Sequence, residues 1–373
     1  MRSCHVARIP DRSELTVQMP NLSGQICVTH FQRKPCACQF SMERVFATIR
    51  GALPQDIVVR QRCCKFESHG LMRRILNIAD AHFRQADVNH ITGDVNYVAL
   101  GLTKRKTILT IHDCVSLHFT KGLTYTRILW LWYQFPARRV AAITVISDFV
   151  RTELLRYVKC DPQMVHVIPN PVSPEFVPWP KGFNAECPVL LQVGAAEHNK
   201  NIVRLAEALR GVRCRLDIIG AITQRQRQAL EDNSVVCRYY SDLSDQEVVR
   251  RYRECDIVLF ASTYEGFGLP IIEGNATGRP VVTSSIGPMP EVAAAAACLV
   301  DPFDPSSIRA GILRVIEDAA YRTHLIAEGF ENVKRFRADI IAAQYARLYR
   351  AVFAVAERRD RARTGAGNTR IEV

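Results

Sequence analysis

The sequence predicts an α/β protein built from two parallel sheets. Three observations predict it. Twelve short apolar runs rich in β-branched residues recur along the 373 residues. Amphipathic segments lie between many of them, and a Pro-rich stretch, Pro169–Pro180, parts the runs into two sets of about six. Near-continuous hydrophobicity marks strands covered on both faces, and strands alternating with helices imply parallel sheets.

In the first half the strand-like runs are Gln25–Phe31, Ile57–Arg62, Val88–Thr92, Thr107–His112, Ala142–Ser147 and Val165–Pro169. In the second they are Val189–Gly194, Leu216–Gly220, Val235–Tyr239, Asp256–Ala261, Pro280–Ser284 and Ala297–Val300. Asn201–Arg210, Asp245–Cys255, Pro305–Ile316 and Tyr321–Phe336 carry apolar residues at helical spacing. Proline lacks a donor and restrains the residue before it, so Pro169–Pro180 reads as a linker. The expected units are an N-terminal domain over 21–172, a C-terminal domain over 173–350 and a loose basic tail over 357–373.

Charge is uneven. The net formal charge is +12, and residues 1–170 hold 23 Lys+Arg against 12 Asp+Glu, so almost all of it lies in the first half. Two halves of such different charge suggest two surfaces with different partners. The 13 cysteines show no paired spacing and no CxxC, which argues for reduced thiols, a cytoplasmic setting and no zinc ribbon. Cys63, Cys64 and His69 lie close in sequence but are not expected to make a metal site. The first twenty residues lack a signal-peptide apolar core, and Ile128–Phe135 is far short of the roughly 20 residues a membrane-spanning helix needs.

In open α/β sheets, ligands bind beyond the carboxyl ends of strands. The segment Ser262-Thr-Tyr-Glu-Gly-Phe-Gly-Leu-Pro-Ile-Ile-Glu273 follows a strand directly. Gly266 and Gly268 allow close backbone approach, and Pro270 suits the first residue of a helix whose positive end would face the ligand. Glu265 and Glu273 would accept charge-assisted hydrogen bonds from ligand hydroxyls. A plain surface loop, with Glu273 merely complementing the helix dipole, stays open on these residues alone. Val193–Asn201 (VGAAEHNKN) joins a strand to a helix start, where Gly194 and Lys200 suit an anion. Lys200 taken by itself would equally suit a solvated helix start. His112 and Asp113 end a buried run, where a lone His is more often structural. Asp94 and Asn96 end another and could face a second substrate.

Together these motifs resemble the family 4 retaining glycosyltransferases. The resemblance rests on Thr110-Ile-His-Asp113, Val145-Ile-Ser147, Val167-Ile-Pro-Asn170, Val193-Gly194 with Lys200-Asn201, the Glu265–Glu273 spacing, Gly278–Thr283 and Pro290-Glu-Val292. It covers roughly residues 85–350, and the chain looks most similar to members that build bacterial capsules and surface polysaccharides. It implies a GT-B fold, two facing Rossmann-like domains each with a mainly parallel sheet. It implies a nucleoside-diphosphate-sugar donor (UDP-, GDP- or ADP-linked), no cofactor and no metal. Glu273 would then hold the ribose and Glu265 the donor sugar. Gly266 would line the donor, backbone N–H groups of Phe267, Gly268 and Leu269 would face the sugar and distal phosphate, and Gly194 and Lys200 the diphosphate. Glu265, His112 and Lys200 become the catalytic candidates, with Asp94, Asn96 and Asp113 on the acceptor side. The family commonly carries an Arg where this chain has Ala195 or Asn199. The Gly-rich loop expected after the first strand is replaced by Arg33-Lys-Pro-Cys-Ala-Cys-Gln-Phe-Ser41.

The chain has no D-x-D, no G-x-G-x-x-G after a strand, no phosphate-binding G-x-x-x-x-G-K-[ST] and no H-E-x-x-H. The expected reaction is attack by an acceptor hydroxyl on the face the diphosphate leaves, through an oxocarbenium-like transition state. The expected acceptor is a saccharide or a lipid-linked saccharide. Phe119–Arg139 mixes aromatics with Lys121, Arg127, Arg138 and Arg139, which suits either a buried helix or peripheral contact with the inner face of an anionic membrane. Nucleic acid is not an expected partner, since the charge forms no long run. The alternatives are a nucleotide-sugar epimerase on the same fold and a non-catalytic nucleotide-sugar-binding protein.

Overall fold

The computed structural model describes residues 24–34, 41–195 and 197–365, without the side chains of residues 41 and 362–365. Residues 1–20, the middle of the 33–41 segment, Cys4, Cys36, Cys38 and residues 366–373 lie outside the described residues. Strands β1 (Ile26–Gln32), β2 (Ile57–Cys63), β3 (Val88–Ile91), β4 (Thr107–Ile111), β5 (Ala142–Val145) and β6 (Val165–Val167) form one sheet in the order β2-β1-β3-β4-β5-β6. Strands β7 (Val189–Val193), β8 (Arg215–Ile219), β9 (Cys237–Tyr240), β10 (Ile257–Phe260), β11 (Val281–Ser284) and β12 (Cys298–Val300) form the other, ordered β12-β11-β10-β7-β8-β9. Every pairing is parallel.

The second order is that of a doubly wound dinucleotide-binding sheet, with its switch point between β7 and β10. The loops after those two strands are Gly194–Asn201 and Ala261–Gly268, the two segments singled out above. In the first sheet the order reverses between β1 and β3, which places Thr92–Asp94 at the corresponding crevice.

Two elements depart from expectation. The helix Ala338–Gly365 returns to the first sheet, where Ile341, Tyr345, Ala346 and Tyr349 join a core with Val28, Phe46, Ile49, Val88 and Ile108. The first domain is therefore completed by the last helix, and residues 357–365 are helical instead of a loose tail. The periodicity beyond residue 338 marks a helix, but nothing local says which sheet it covers.

The second is the aromatic segment. It folds as Val115–Phe119, Gly122–Ile128, a wider π-type turn over Leu129–Gln134 and Phe135–Arg138. Pro136 has no N–H to give the carbonyl of Trp132. The Asn96 amide donates to that carbonyl instead, at 2.9 Å. Tyr133, Gln134 and Ala137 are buried while Phe119, Trp130, Leu131 and Phe135 are exposed, so the segment serves the core and still shows aromatics to solvent. No helix among the described residues is long and apolar enough to cross a membrane.

Candidate active site

β7 and β10 are neighbours, so their loops meet. Lys200 Nζ donates to Glu265 Oε1 at 2.7 Å, both side chains being mostly buried. Asn199 Nδ2 donates to the Tyr264 carbonyl at 2.7 Å and reaches Glu265 Oε1 at 3.4 Å. Asn199, standing where an Arg is common in the family, thus holds the Glu265 loop. Gly194 is in the left-handed region at φ 79°, and a Cβ there would lie 2.9 Å from Lys200 Cε. Glycine at 194 is what lets the Lys200 stem cross the end of β7 and run toward Phe260, whose ring centre is 5.3 Å from Nζ.

The helix Leu269–Thr277 starts at Gly268, with Pro270 its second residue, not its first as expected. The early N–H groups of such a helix have no intrahelical acceptor and carry its positive end. Phe267 is buried and packs edge-on against Phe336 at 5.6 Å, which leaves its backbone, not its ring, to face a donor. Glu273 lies in the second turn and not the first. Burial pushes its carboxyl up, opposed by the hydrogen bond that Tyr252 donates to Oε2 at 2.5 Å and by Arg44 of the other domain. Its second oxygen makes no hydrogen bond among the described residues, so it can accept from a diol.

From the facing domain come His112 and Asp113. His112 Nε2–H donates to the Thr92 carbonyl at 2.9 Å, which makes Nδ1 the bare acceptor of the neutral ring. Burial lowers the His112 pKa, so that ring stays neutral near pH 7. Burial raises the Asp113 carboxyl, and its Oδ1 accepts from Val115 N at 3.0 Å. That hydrogen bond shapes the loop. Asp94 is exposed at the first sheet's crevice and accepts from Trp132 Nε1 at 3.2 Å. Asn96 is buried against the Trp132 carbonyl and does not reach the crevice surface, so the expectation that it faces an acceptor is corrected.

The two crevices face each other in contact. A Cβ on Gly266 would lie 2.2 Å from the His112 carbonyl oxygen. Ser147 Oγ donates to the Gly266 carbonyl at 2.8 Å while accepting from Val150 N as the cap of the helix Asp148–Tyr157. Tyr264 OH donates to Glu153 Oε2 at 2.5 Å and accepts from Cys114 N at 3.3 Å. Glu291 accepts from Asp148 N at 2.9 Å and Phe149 N at 3.4 Å, closing the start of that helix from across the cleft. Arg44 pairs with Asp245 at 2.8 Å on the far side. Sequence reasoning marked Ser147 and Glu291 only as motif members and missed Tyr252, Glu153 and Tyr264. A Ser just before a helix start is a readable cap signal; a partner from another domain has none.

Removing the Glu291 cap should loosen closure without unfolding the chain. An N-terminal cap contributes about 1 kcal/mol. Glu291→Ala is therefore expected to lower kcat/KM roughly fivefold, with Glu291→Gln nearer wild type. Equal loss in both variants, or none in either, would remove the capping role.

Comparison with known proteins agrees with this geometry. Residues 45–176 match the family model described as Glycosyltransferase Family 4, and residues 175–332 that described as Glycosyl transferases group 1. O-antigen chain mannosyltransferase B of Escherichia coli is 28% identical over 233 residues, covering 56% of this chain and 60% of its own length. MMP alpha-(1->4)-mannosyltransferase of Mycolicibacterium hassiacum is 24% identical over 241 residues, covering 60% of this chain and 58% of its own. The chain thus spans about three fifths of these relatives' length. Among solved structures, sucrose-phosphate synthase from Thermosynechococcus elongatus superposes with a TM-score of 0.72 at 16% identity, covering 89% of this chain and all of that one. Anabaena HepE in complex with UDP and glucose gives 0.71 at 15%, covering 88% of this chain and 100% of that one. WaaG, a glycosyltransferase involved in lipopolysaccharide biosynthesis, gives 0.65 at 14%, covering 87% and 99%. These likenesses give the fold, which is GT-B. The two matched models meet at the linker and together run from residue 45 to 332, and the chain belongs to glycosyltransferase family 4.

Proposed function

We propose that this chain is a metal-independent, retaining glycosyltransferase that moves a sugar from a nucleoside-diphosphate donor to a hydroxyl of a saccharide or lipid-linked saccharide during surface-polysaccharide synthesis. The observation that carries this reading is the Lys200–Glu265 pair at the β7–β10 switch point, with His112 and Asp113 pressed against Gly266 from the facing domain. Glu273 would accept from the ribose diol. The N-terminus of the helix Leu269–Thr277 and Lys200 would stabilise the diphosphate as it leaves, which is charge stabilisation by groups already in place. For that, Lys200 exchanges part of its contact with Glu265 for phosphate oxygens, and Glu265 turns to the sugar hydroxyls. His112 offers Nδ1 as an acceptor near the reacting carbon. The acceptor hydroxyl arrives from the Asp94 side, on the face the diphosphate leaves. Mannose is the donor sugar to try first, because the relatives named above are mannosyltransferases. The setting is cytoplasmic, at the inner face of the membrane.

The test is thermal unfolding with UDP, GDP and ADP in turn. A nucleotide at about 100 times its Kd adds roughly 2.7 kcal/mol, a shift of a few degrees at this size. One nucleotide should shift the wild type and leave Glu273→Ala unmoved. Turnover is then sought with the matching mannosyl donor, and Glu265→Ala should abolish it. A Glu265→Ala variant with near-normal transfer, or a shift undiminished in Glu273→Ala, overturns the assignment.

A further inference from the structure

The helix Leu71–His82 shows its apolar side to solvent. Leu71, Met72, Ile75 and Leu76 are 76, 68, 47 and 44% exposed, and Phe83, just past the helix, is 85% exposed. Positions 71, 72, 75, 76, 79 and 83 recur at helical spacing along one face, opposite the buried Asn77 and Ala81. The helix crosses from β2 to β3, and its inward side packs on the turn Asn96–Gly101, where the Asn77 amide donates to Tyr97 OH at 2.9 Å. A contiguous apolar face of this kind on a folded domain marks a contact surface.

What lies beside the face says which kind. A cleft of about 370 Å³ adjoins it, lined by Arg60, Arg62, Asp80, Phe83, Arg84 and Gln85. Arg60 and Arg62 stand on the edge strand β2 and make no ion pair among the described residues. Asp80 is the acid in the cleft, and it is already held by Lys65 at 3.1 Å and Arg84 at 2.9 Å. The cleft therefore presents uncompensated guanidinium groups next to bare Phe83. A second copy of this basic half would meet that charge with charge. An anionic lipid surface offers both phosphate for the arginines and acyl chain for the helix.

We propose that this face, Leu71 through Phe83 with Arg60, Arg62 and Arg84, docks the N-terminal domain onto an anionic lipid bilayer. The proposal rests on the transferase reading only for its purpose. Arg74 of the same helix lies over the rings of Tyr97 and Trp132, at 5.8 and 5.5 Å, and Trp132 binds Asp94. Docking by this face therefore sets the acceptor-side crevice beside the headgroups, where a lipid-linked acceptor is presented. The surface is not the Phe119–Arg139 segment singled out from its aromatics, although it adjoins that segment through Trp132.

The experiment is flotation of the full chain, without donor, on vesicles of phosphatidylcholine alone or mixed with phosphatidylglycerol, at low and high salt. The wild type should float with the anionic vesicles at low salt and lose most of that binding at high salt. Arg60→Glu/Arg62→Glu should weaken it at least roughly tenfold, since each basic residue near such a surface is worth about fivefold. Leu71→Glu/Ile75→Glu should reduce flotation to background. All four positions are exposed, so unchanged melting temperatures will show that the variants fold. Variants that float like the wild type, or a wild type that does not float at low salt, overturn the proposal. So does sedimentation showing a dimer that Leu71→Glu/Ile75→Glu dissolves while flotation persists. Turnover on a soluble acceptor should survive Leu71→Glu/Ile75→Glu, so loss of docking and loss of the transferase reading are told apart.

Discussion

Gly266→Ala is expected to cut turnover by at least about a hundredfold while the chain stays folded. The reason is steric and local. The added Cβ would sit 2.2 Å from the His112 carbonyl oxygen and 3.1 Å from Asp113 Cβ. The first of these is backbone at the end of a buried strand, so nothing can swing aside. The cleft must open by about an ångström, and misplacement on that scale costs on the order of a hundredfold in rate. Opening also parts Ser147 from the Gly266 carbonyl and Tyr264 from Glu153, contacts made only across the cleft. Each sheet keeps its own core, and the nucleotide-dependent thermal shift should persist because Glu273 and its Tyr252 partner lie within the second domain. Gly182→Ala is the control, since a Cβ there meets nothing within 4 Å. Near-normal turnover in Gly266→Ala would mean that the closed contact is not the reactive one.

Much of this arrangement could be read from residues. All twelve strands form where the runs announced them; the inner strands, covered on both faces, leave an unbroken apolar trace, while the edge strands β2 and β9 are largely exposed. Glu265, Glu273, Gly194 and Lys200 stood out because they lie in the loop and helix-start segments that follow two strands. That Lys200 and Glu265 are partners could not be read. It depends on β7 lying beside β10, an order that emerges only when the sheet is assembled. The closing contacts were hidden for the same reason. Glu291 and the N–H groups it caps are 143 and 142 residues away in sequence. Asn96 misled because a polar residue after a strand looks like a crevice residue. Its true partner, the Trp132 carbonyl, lies 36 residues on in the aromatic segment.

The chain should lose stability steeply as pH falls below about 6.5, and the first domain should be the source. His30 and His90 are wholly buried beneath the last helix. Tyr349 OH lies 2.9 Å from His30 Nε2 and 2.8 Å from His90 Nδ1, and His90 Nε2 lies 2.7 Å from Thr110 Oγ1. His30 Nδ1 is buried with no partner. Burial is the main cause that lowers both rings, the mutual repulsion of the pair adds to it for His30, and His90 falls to about 3. The sign follows from linkage. Between pH 6.5 and about 3 the unfolded chain binds protons that the folded one refuses, so stability rises with pH there and is lost on acidification. His90 alone costs about 1.4 kcal/mol per pH unit below 6.5, or roughly 2 kcal/mol at pH 5, and His30 adds in the same direction. That is a sizeable part of a typical 5–15 kcal/mol. His112, also lowered by burial, adds in the same direction. Glu273 and Asp113 act oppositely, because burial raises their carboxyls and the folded chain keeps protons the unfolded one sheds. Melting temperature against pH should therefore fall from 7 toward 5 in the wild type. His30→Gln/His90→Asn should melt lower at pH 7.5 but show a flatter profile, and Glu273→Gln a steeper one. A flat wild-type profile, or a slope untouched by the double variant, would place the acid sensitivity elsewhere. Because His112 stacks edge-on to Phe46 at 6.0 Å, and Phe46 to His90 at 5.3 Å, protonating this cluster would disturb the floor of the cleft before the sheet comes apart.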